Sequence, residues 1–126
     1  MADLFLDTLP YNACTTAYYA LLGGLPVLTC VGDTFAGRIG SSLLRAVGLP
    51  ELVTTSLAAY EELARCLAQS SNVLRDMREK LARSQSSAQL FDHDRFARDS
   101  EAAFIQMQEI RCAGEAPRSF SLSSVE

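Results

Sequence analysis

The chain has 126 residues, of which 48% are hydrophobic and 21% charged, a length that suits one ordinary domain with a sizeable core. Its formal net charge of −4 excludes a phosphate-neutralising groove as the expected surface, and with it nucleic acid as the expected partner. Cys14, Cys30, Cys66 and Cys112 form no C-x-x-C pair and His93 is the lone histidine, so zinc-ligand spacing is absent and the expectation is reduced, mostly buried thiols in a cytoplasmic protein.

The first positive charge is Arg38, while Met1 to Thr8 carries Asp3 and Asp7; no basic segment precedes an apolar run, as a secretory signal requires. The apolar stretch from Ala20 to Val31 is broken by Gly23, Gly24 and Pro26 and falls short of the roughly 20 residues that span a bilayer. No membrane partner is expected. Leu4, Phe5 and Leu6 read as a strand that is apolar on both faces, which suits the interior of a parallel sheet. Only two further strand candidates follow, so the expectation is a piece of a larger sheet, completed by an upstream portion in the same or a separate chain.

A turn carrying Pro10 and Asn12 leads to a helix capped by Cys14 or Thr15, with Ala17, Ala20 and Leu21 on its apolar side and Gly23-Gly24 as its stop. Val27 to Cys30 is the second strand. Parallel strands need a crossover, so Asp3 to Cys30 is predicted to be a βαβ unit. Ligands of such sheets sit outside the carboxyl ends of the strands, at helix starts with free backbone N–H groups, and this places the candidate site at Asn12 to Thr16.

Gly32-Asp33-Thr34 forms a turn and cap for a second helix from about Phe35 to Val47, with Phe35, Ile39, Leu43 and Val47 at helical spacing. Gly37 and Gly40 inside it predict close approach of a neighbour, since each costs about 1 kcal/mol relative to Ala. Arg38, near the helix start, is placed to reach a carboxylate or a ligand. Gly48 is the expected stop, Glu51 to Thr54 a very short third strand, and Ser56 the start of a helix to about Gln69 with Leu57, Tyr60, Ala64 and Leu67 on one face. The next helix opens at Asn72, turning Leu74, Met77 and Leu81 inward and a charged run, 75 to 80, to water as weak i,i+3 and i,i+4 pairs. After a polar break at Ser84 to Ser87, Asp92 or Asp94 caps a last helix with Phe96, Ala103, Phe104, Met107 and Ile110 on one side, ended by Gly114. His93 reads as an exposed residue without chemistry. The expected division is an α/β unit over 1–55, helices of the same domain over 56–113, and a disordered Ser-rich tail over 114–126.

Several ordered motifs together carry a resemblance. They are Asp3-Leu-Phe-Leu-Asp-Thr, Tyr11-Asn12-Ala13-x-Thr15-Thr16, Gly24-Leu25-Pro26-Val27-Leu28-Thr29, Gly32-Asp33-Thr34-Phe35-Ala36-x-Arg38, Ser41-Ser42-Leu43-Leu44, Gly48-Leu49-Pro50-Glu51-Leu52 and Leu90-Phe91-Asp92. From Asp3 to about Gln108 the chain resembles the C-terminal end of the protein O-linked N-acetylglucosamine transferases, including the bacterial tetratricopeptide-repeat-containing type. The resemblance implies an α/β fold: a partial Rossmann-like parallel sheet, the second half of the C-terminal domain of a B-type glycosyltransferase, followed by C-terminal helices.

It also implies UDP-N-acetylglucosamine as donor, protein Ser or Thr hydroxyls as acceptors, inversion at the sugar, and no required metal or other cofactor. In the family a His-Thr-Thr triplet meets the UDP diphosphate and an acidic residue four positions after the first Thr holds the ribose. Here the corresponding positions are Cys14, Thr15 and Thr16, and Tyr19. No catalytic residue is assigned, because the candidate catalytic groups, acceptor site and uracil pocket of the family lie largely upstream. The isolated chain is therefore expected to be an incomplete enzyme. Two other readings stand beside this one: a degenerate nucleotide-sugar fold that has lost its donor, and a non-catalytic helical interaction module.

Overall fold

The computed structural model describes residues 2–122. They form two compact units, one up to Phe91 and one from Asp92 onward. In the first, three short strands make a parallel sheet in the order β1 (Phe5–Leu6), β2 (Val27–Cys30), β3 (Val53–Thr54). Phe5 aligns with Val27 and Leu6 with Leu28, then Thr29 with Val53 and Cys30 with Thr54. The crossovers are α1 (Thr15–Leu22) and α2 (Ile39–Ala46), as parallel pairing demands.

The central strand β2 is buried at all four positions, the pattern of a strand covered on both faces. Around it Ala17 and Leu21 of α1, Leu44 and Val47 at α2, Leu49 and Leu52 before β3, and Leu67 and Leu81 from the following helices form one apolar cluster. These helices are α3 (Leu57–Gln69), which packs on β2 and β3, and α4 (Ser71–Gln85), which packs on α3. β1 pairs with β2 alone among the described residues. Beside it lies a hollow of about 710 Å³ lined by Leu4, Leu6, Ala64, Leu67 and Leu74 among others, and Leu6 is 53% exposed. A strand with interior character thus stands at a sheet edge.

Several expected faces are displaced. α2 begins later than expected, after a 3-10 turn at Ala36–Arg38. It buries Gly40, Ser41 and Leu44 rather than a stripe running from Phe35, which is 79% exposed. The reason is close approach: a Cβ on Gly40 would lie 2.6 Å from Asp7 Oδ2 and 2.7 Å from Thr29 Oγ1, and one on Gly37 3.1 Å from Gly32 Cα. Small residues therefore face the sheet and its loops, Leu44 and Val47 still reach the core, and Phe35 is turned outward. On α3, Leu57 is likewise exposed, while Leu63 joins Leu67 against the core. α4 starts at Ser71, and its charged run makes long-range bonds in place of helical pairs. Arg78 reaches Asp3 at 2.8 Å, and Lys80 reaches Glu51 at 2.6 Å. Burial raises the Glu51 carboxyl, but the Lys80 hydrogen bond, a backbone hydrogen bond at Glu51 and the Lys80 charge together outweigh that and hold it below its ordinary value.

In the second unit, α5 (His93–Cys112) is capped by Asp92, whose side chain accepts from Arg95 N. His93 is its exposed first residue. Gly114 ends it with φ +70°. Phe96, Phe104 and Met107, expected on one side of the helix, are exposed. Residues 115–122 carry no regular secondary structure; the remainder of the tail expected to be disordered, 123–126, lies outside the described residues. Three of the four thiols, those of Cys14, Cys66 and Cys112, are exposed and only Cys30 is buried, against the expectation of mostly buried thiols. Among the described residues no helix is long and apolar enough to cross a membrane.

Candidate functional site

The turn between β1 and α1 is built on Asp7. An apolar strand ending in Asp-Thr favours a side chain that folds back on the following backbone, and Asp7 does so while only 5% exposed. Its Oδ1 accepts from Thr8 N at 2.8 Å and Ala13 N at 2.7 Å, and its Oδ2 accepts from the Thr29 hydroxyl at 2.6 Å. One carboxylate therefore closes the turn and ties it to the central strand. The Asn12 side chain, fully buried, donates to Thr8 O at 3.0 Å and leaves its Oδ1 unpartnered among the described residues. Thr8 Oγ1 donates to Tyr11 O at 2.7 Å.

Tyr60 of α3 completes the frame by donating its hydroxyl to Asp7 O at 2.9 Å. Burial, then the nearby charges of Asp7 and Cys30, push its phenol above the ordinary value of 10.0. A folded-state value above the unfolded one means that stability is fully present below pH about 10 and is lost as pH rises through the folded value. Tyr60→Phe is expected to lower stability at neutral pH by about 1 kcal/mol, the usual worth of one hydrogen bond. It should also flatten the loss above pH about 10, because nothing at that position titrates any longer. Urea midpoints measured from pH 7 to pH 11 check both parts.

The frame delivers Cys14, Thr15 and Thr16 to the carboxyl end of β1. Cys14, one of the two expected cap positions, is the N-cap of α1, but no side chain accepts a capping hydrogen bond there. The first intrahelical bond runs from Tyr18 N to Cys14 O at 3.0 Å. The N–H groups of Thr15, Thr16 and Ala17 accordingly have no partner among the described residues. Cys14, Thr15 and Thr16 are all exposed. Tyr19 follows one turn along, on the same side as Thr15, and is 62% exposed with its ring edge-on to Tyr18 at 5.6 Å. Tyr18, in turn, lies 5.9 Å from the Phe91 ring. Tyr18 is thus half-buried packing while Tyr19 faces outward. The four candidate residues stand on one short stretch, offering the two N–H groups of Thr15 and Thr16, two hydroxyls, a thiol and a phenol to an anion, while Ala17 is buried.

Arg38 reaches no carboxylate among the described residues; its Nη1 donates to Asp33 O at 2.7 Å. What the sequence reading overlooked is the support, namely Asp7, Thr29 and Tyr60. Of these only Asp7 carried a local signal, an acidic residue closing an apolar strand before Thr8.

A parallel sheet whose first crossover helix opens uncapped at the carboxyl end of its strand defines a Rossmann-like α/β protein. Comparison narrows that class. Residues 1–100 match the family model described as glycosyl transferase family 41, and the chain belongs to that family. It is 36% identical over 117 residues to a probable UDP-N-acetylglucosamine–peptide N-acetylglucosaminyltransferase SPINDLY of Oryza sativa subsp. japonica, covering 93% of this chain and 13% of the relative. A probable transferase of the same description, SEC of Arabidopsis thaliana, is 32% identical over 123 residues, again 13% of its length. A solved structure of a mutant O-GlcNAc transferase from Thermobaculum terrenum superposes with TM-score 0.80 at 40% identity, over 90% of this chain and 22% of that one. The fold is part of a B-type glycosyltransferase and the chain is part of an O-GlcNAc-transferase-type catalytic region; the chain spans about an eighth of the length of its curated relatives.

Proposed function

We propose that the chain is the donor-side portion of a cytoplasmic protein glycosyltransferase, holding UDP-N-acetylglucosamine for transfer to Ser or Thr hydroxyls of an acceptor protein. The observation that carries this is the uncapped start of α1, with three unpartnered N–H groups beside the Thr15 and Thr16 hydroxyls, at the end of the sheet where such folds bind nucleotides. Thr15 and Thr16 meet the diphosphate, Cys14 flanks it, and Tyr19 lies toward the ribose. The helix terminus supplies positive potential without a metal.

The chain works with the upstream portion of the catalytic region. The side of β1 that is unpaired among the described residues, and the hollow along it lined in part by Leu4, Leu6, Ala64, Leu67 and Leu74, support this, since an interior-type strand left at an edge accepts another strand. Energetics point the same way. A helix N-terminus contributes about 0.3–1 kcal/mol toward an anion, whereas micromolar binding needs about 8 kcal/mol. The chain alone is therefore expected to bind UDP no tighter than about millimolar and not to turn over.

Cys14 and Tyr19, standing where the resemblance places His and an acidic residue, favour a second reading, a fold that no longer takes the donor. A two-dimensional amide spectrum of the chain with millimolar UDP separates the two. Shifts confined to Cys14 through Tyr19 are the expected result. A dispersed spectrum in which these amides stay put sinks the donor reading and leaves the second.

A further inference from the structure

A second concavity opens from the candidate turn. It measures about 590 Å³ and is lined chiefly by Cys14, Phe35, Arg38, Ile39, Ser42 and Arg45. It runs from the start of α1 along the outer side of α2, between the loops that follow β1 and β2. Its end at Cys14 and Phe35 lies on the ligand side of the parallel sheet, and Arg45 stands in the last turn of α2. In a chain of net charge −4, none of its lining residues is acidic. Neither Arg38 nor Arg45 lies within ion-pair distance of a carboxylate among the described residues. The Arg38 guanidinium is held by its bond to Asp33 O, so less freedom is lost when it engages a further partner. Phe35 adds an apolar contact, 79% exposed at the rim.

The spacing decides which anion fits. Arg38, Ser42 and Arg45 follow one another at i, i+4 and i+7 and share a stripe. At about 1.5 Å per residue the two arginines are roughly 10 Å apart along the helix. They do not converge on a single phosphate. An extended peptide in the polyproline II conformation advances about 3.1 Å per residue with three residues per turn, so two carboxylates three positions apart share a face about 9 Å apart and match that separation, with an apolar side chain available to Phe35.

We propose that this cleft docks an acidic, extended polypeptide segment, with Arg38 and Arg45 receiving its carboxylates and Phe35 its apolar side chain. Cys14 borders both the cleft and the turn proposed for the diphosphate, so the docked segment lies beside the transferable sugar and belongs to the acceptor protein; that last assignment rests on the donor reading above.

The test titrates the 126-residue chain with a short Ser-containing peptide bearing two Glu three residues apart, with its Gln counterpart, with inorganic phosphate and with UDP, following backbone amides. The expected result is that the Glu peptide moves Phe35, Ile39, Ser42 and Arg45, that the Gln peptide and phosphate do not, and that raising salt weakens the effect. Arg38→Glu and Arg45→Glu are each expected to weaken the peptide roughly tenfold. Both side chains are exposed, and the Arg45 variant removes no hydrogen bond, so a dispersed spectrum is retained. Unmoved cleft amides in the folded wild type, equal shifts from the Gln peptide, or the same shifts from phosphate alone would overturn the docking site. If UDP leaves Cys14 to Tyr19 unmoved while the Glu peptide moves the cleft, the donor reading fails and the docking site stands.

Discussion

Asp7→Ala is expected to destabilise the chain by about 3–5 kcal/mol, a large share of the roughly 5–15 kcal/mol that holds a typical domain together. The carboxylate is 5% exposed and accepts three hydrogen bonds within 2.8 Å. Alanine would leave the N–H groups of Thr8 and Ala13 and the Thr29 hydroxyl without their acceptor, and bonds to a charged group are worth about 1.5–3 kcal/mol each. The full sum is not realised, because the turn can relax and admit water to its exposed side. Asp7→Asn should fall between, since its remaining oxygen can still accept from Thr8 and Ala13. Thr29→Val, which removes one donor only, should cost about 1–2 kcal/mol. Urea denaturation followed by far-ultraviolet dichroism measures the series. A variant Asp7→Ala within 1 kcal/mol of wild type would show that the turn is held by something other than this carboxylate.

The second large effect concerns affinity. Cys14→His and Tyr19→Asp, made together, are expected to tighten UDP binding about 10- to 100-fold. Both side chains are exposed, so neither change disturbs the cluster around β2. A thiol is a weak donor and a weak acceptor, whereas imidazole offers one of each. A carboxylate four positions beyond Thr15 would accept from ribose hydroxyls, and a hydrogen bond to a charged group contributes about 1.5–3 kcal/mol, or one to two decades in affinity. Tyr19→Asp alone should supply most of the gain. Calorimetric titration of the single and double variants gives the result; an affinity unchanged in a folded double variant would remove both positions from the donor site.

How far the sequence could be read follows from how local each determinant is. The βαβ unit announces itself through Gly23-Gly24, the apolar run Val27 to Cys30 and the need for a crossover, and the structure has it. The helix starting at Thr15 was legible for the same reason. Its missing cap was not, because Cys14 and Thr15 both read as possible caps until the backbone at Cys14 is seen to leave the side chain unbonded. The inward side of α2 was legible in part. Of the expected stripe Val47 is buried and Leu43 packs on the core, but Phe35 is exposed, and the sheet takes Gly37, Gly40 and Ser41, because the space above Asp7 and Thr29 admits no Cβ at Gly40. The charged run on α4 suggested helical pairs, whereas Arg78 and Lys80 reach residues 75 and 29 positions away.

By itself, then, the order of residues determined the element sequence, the parallel arrangement, the place of the candidate site and, through its motifs, the family. Those features rest on periodicity and turn chemistry within a few neighbouring residues. Only the tertiary structure decided which carboxylate braces the turn, which side of α2 meets the sheet, and that Tyr60 reaches Asp7 across 53 residues. Each of these is a contact between segments distant in sequence, and a long-range contact leaves no local pattern to read because either partner alone is compatible with an exposed side chain.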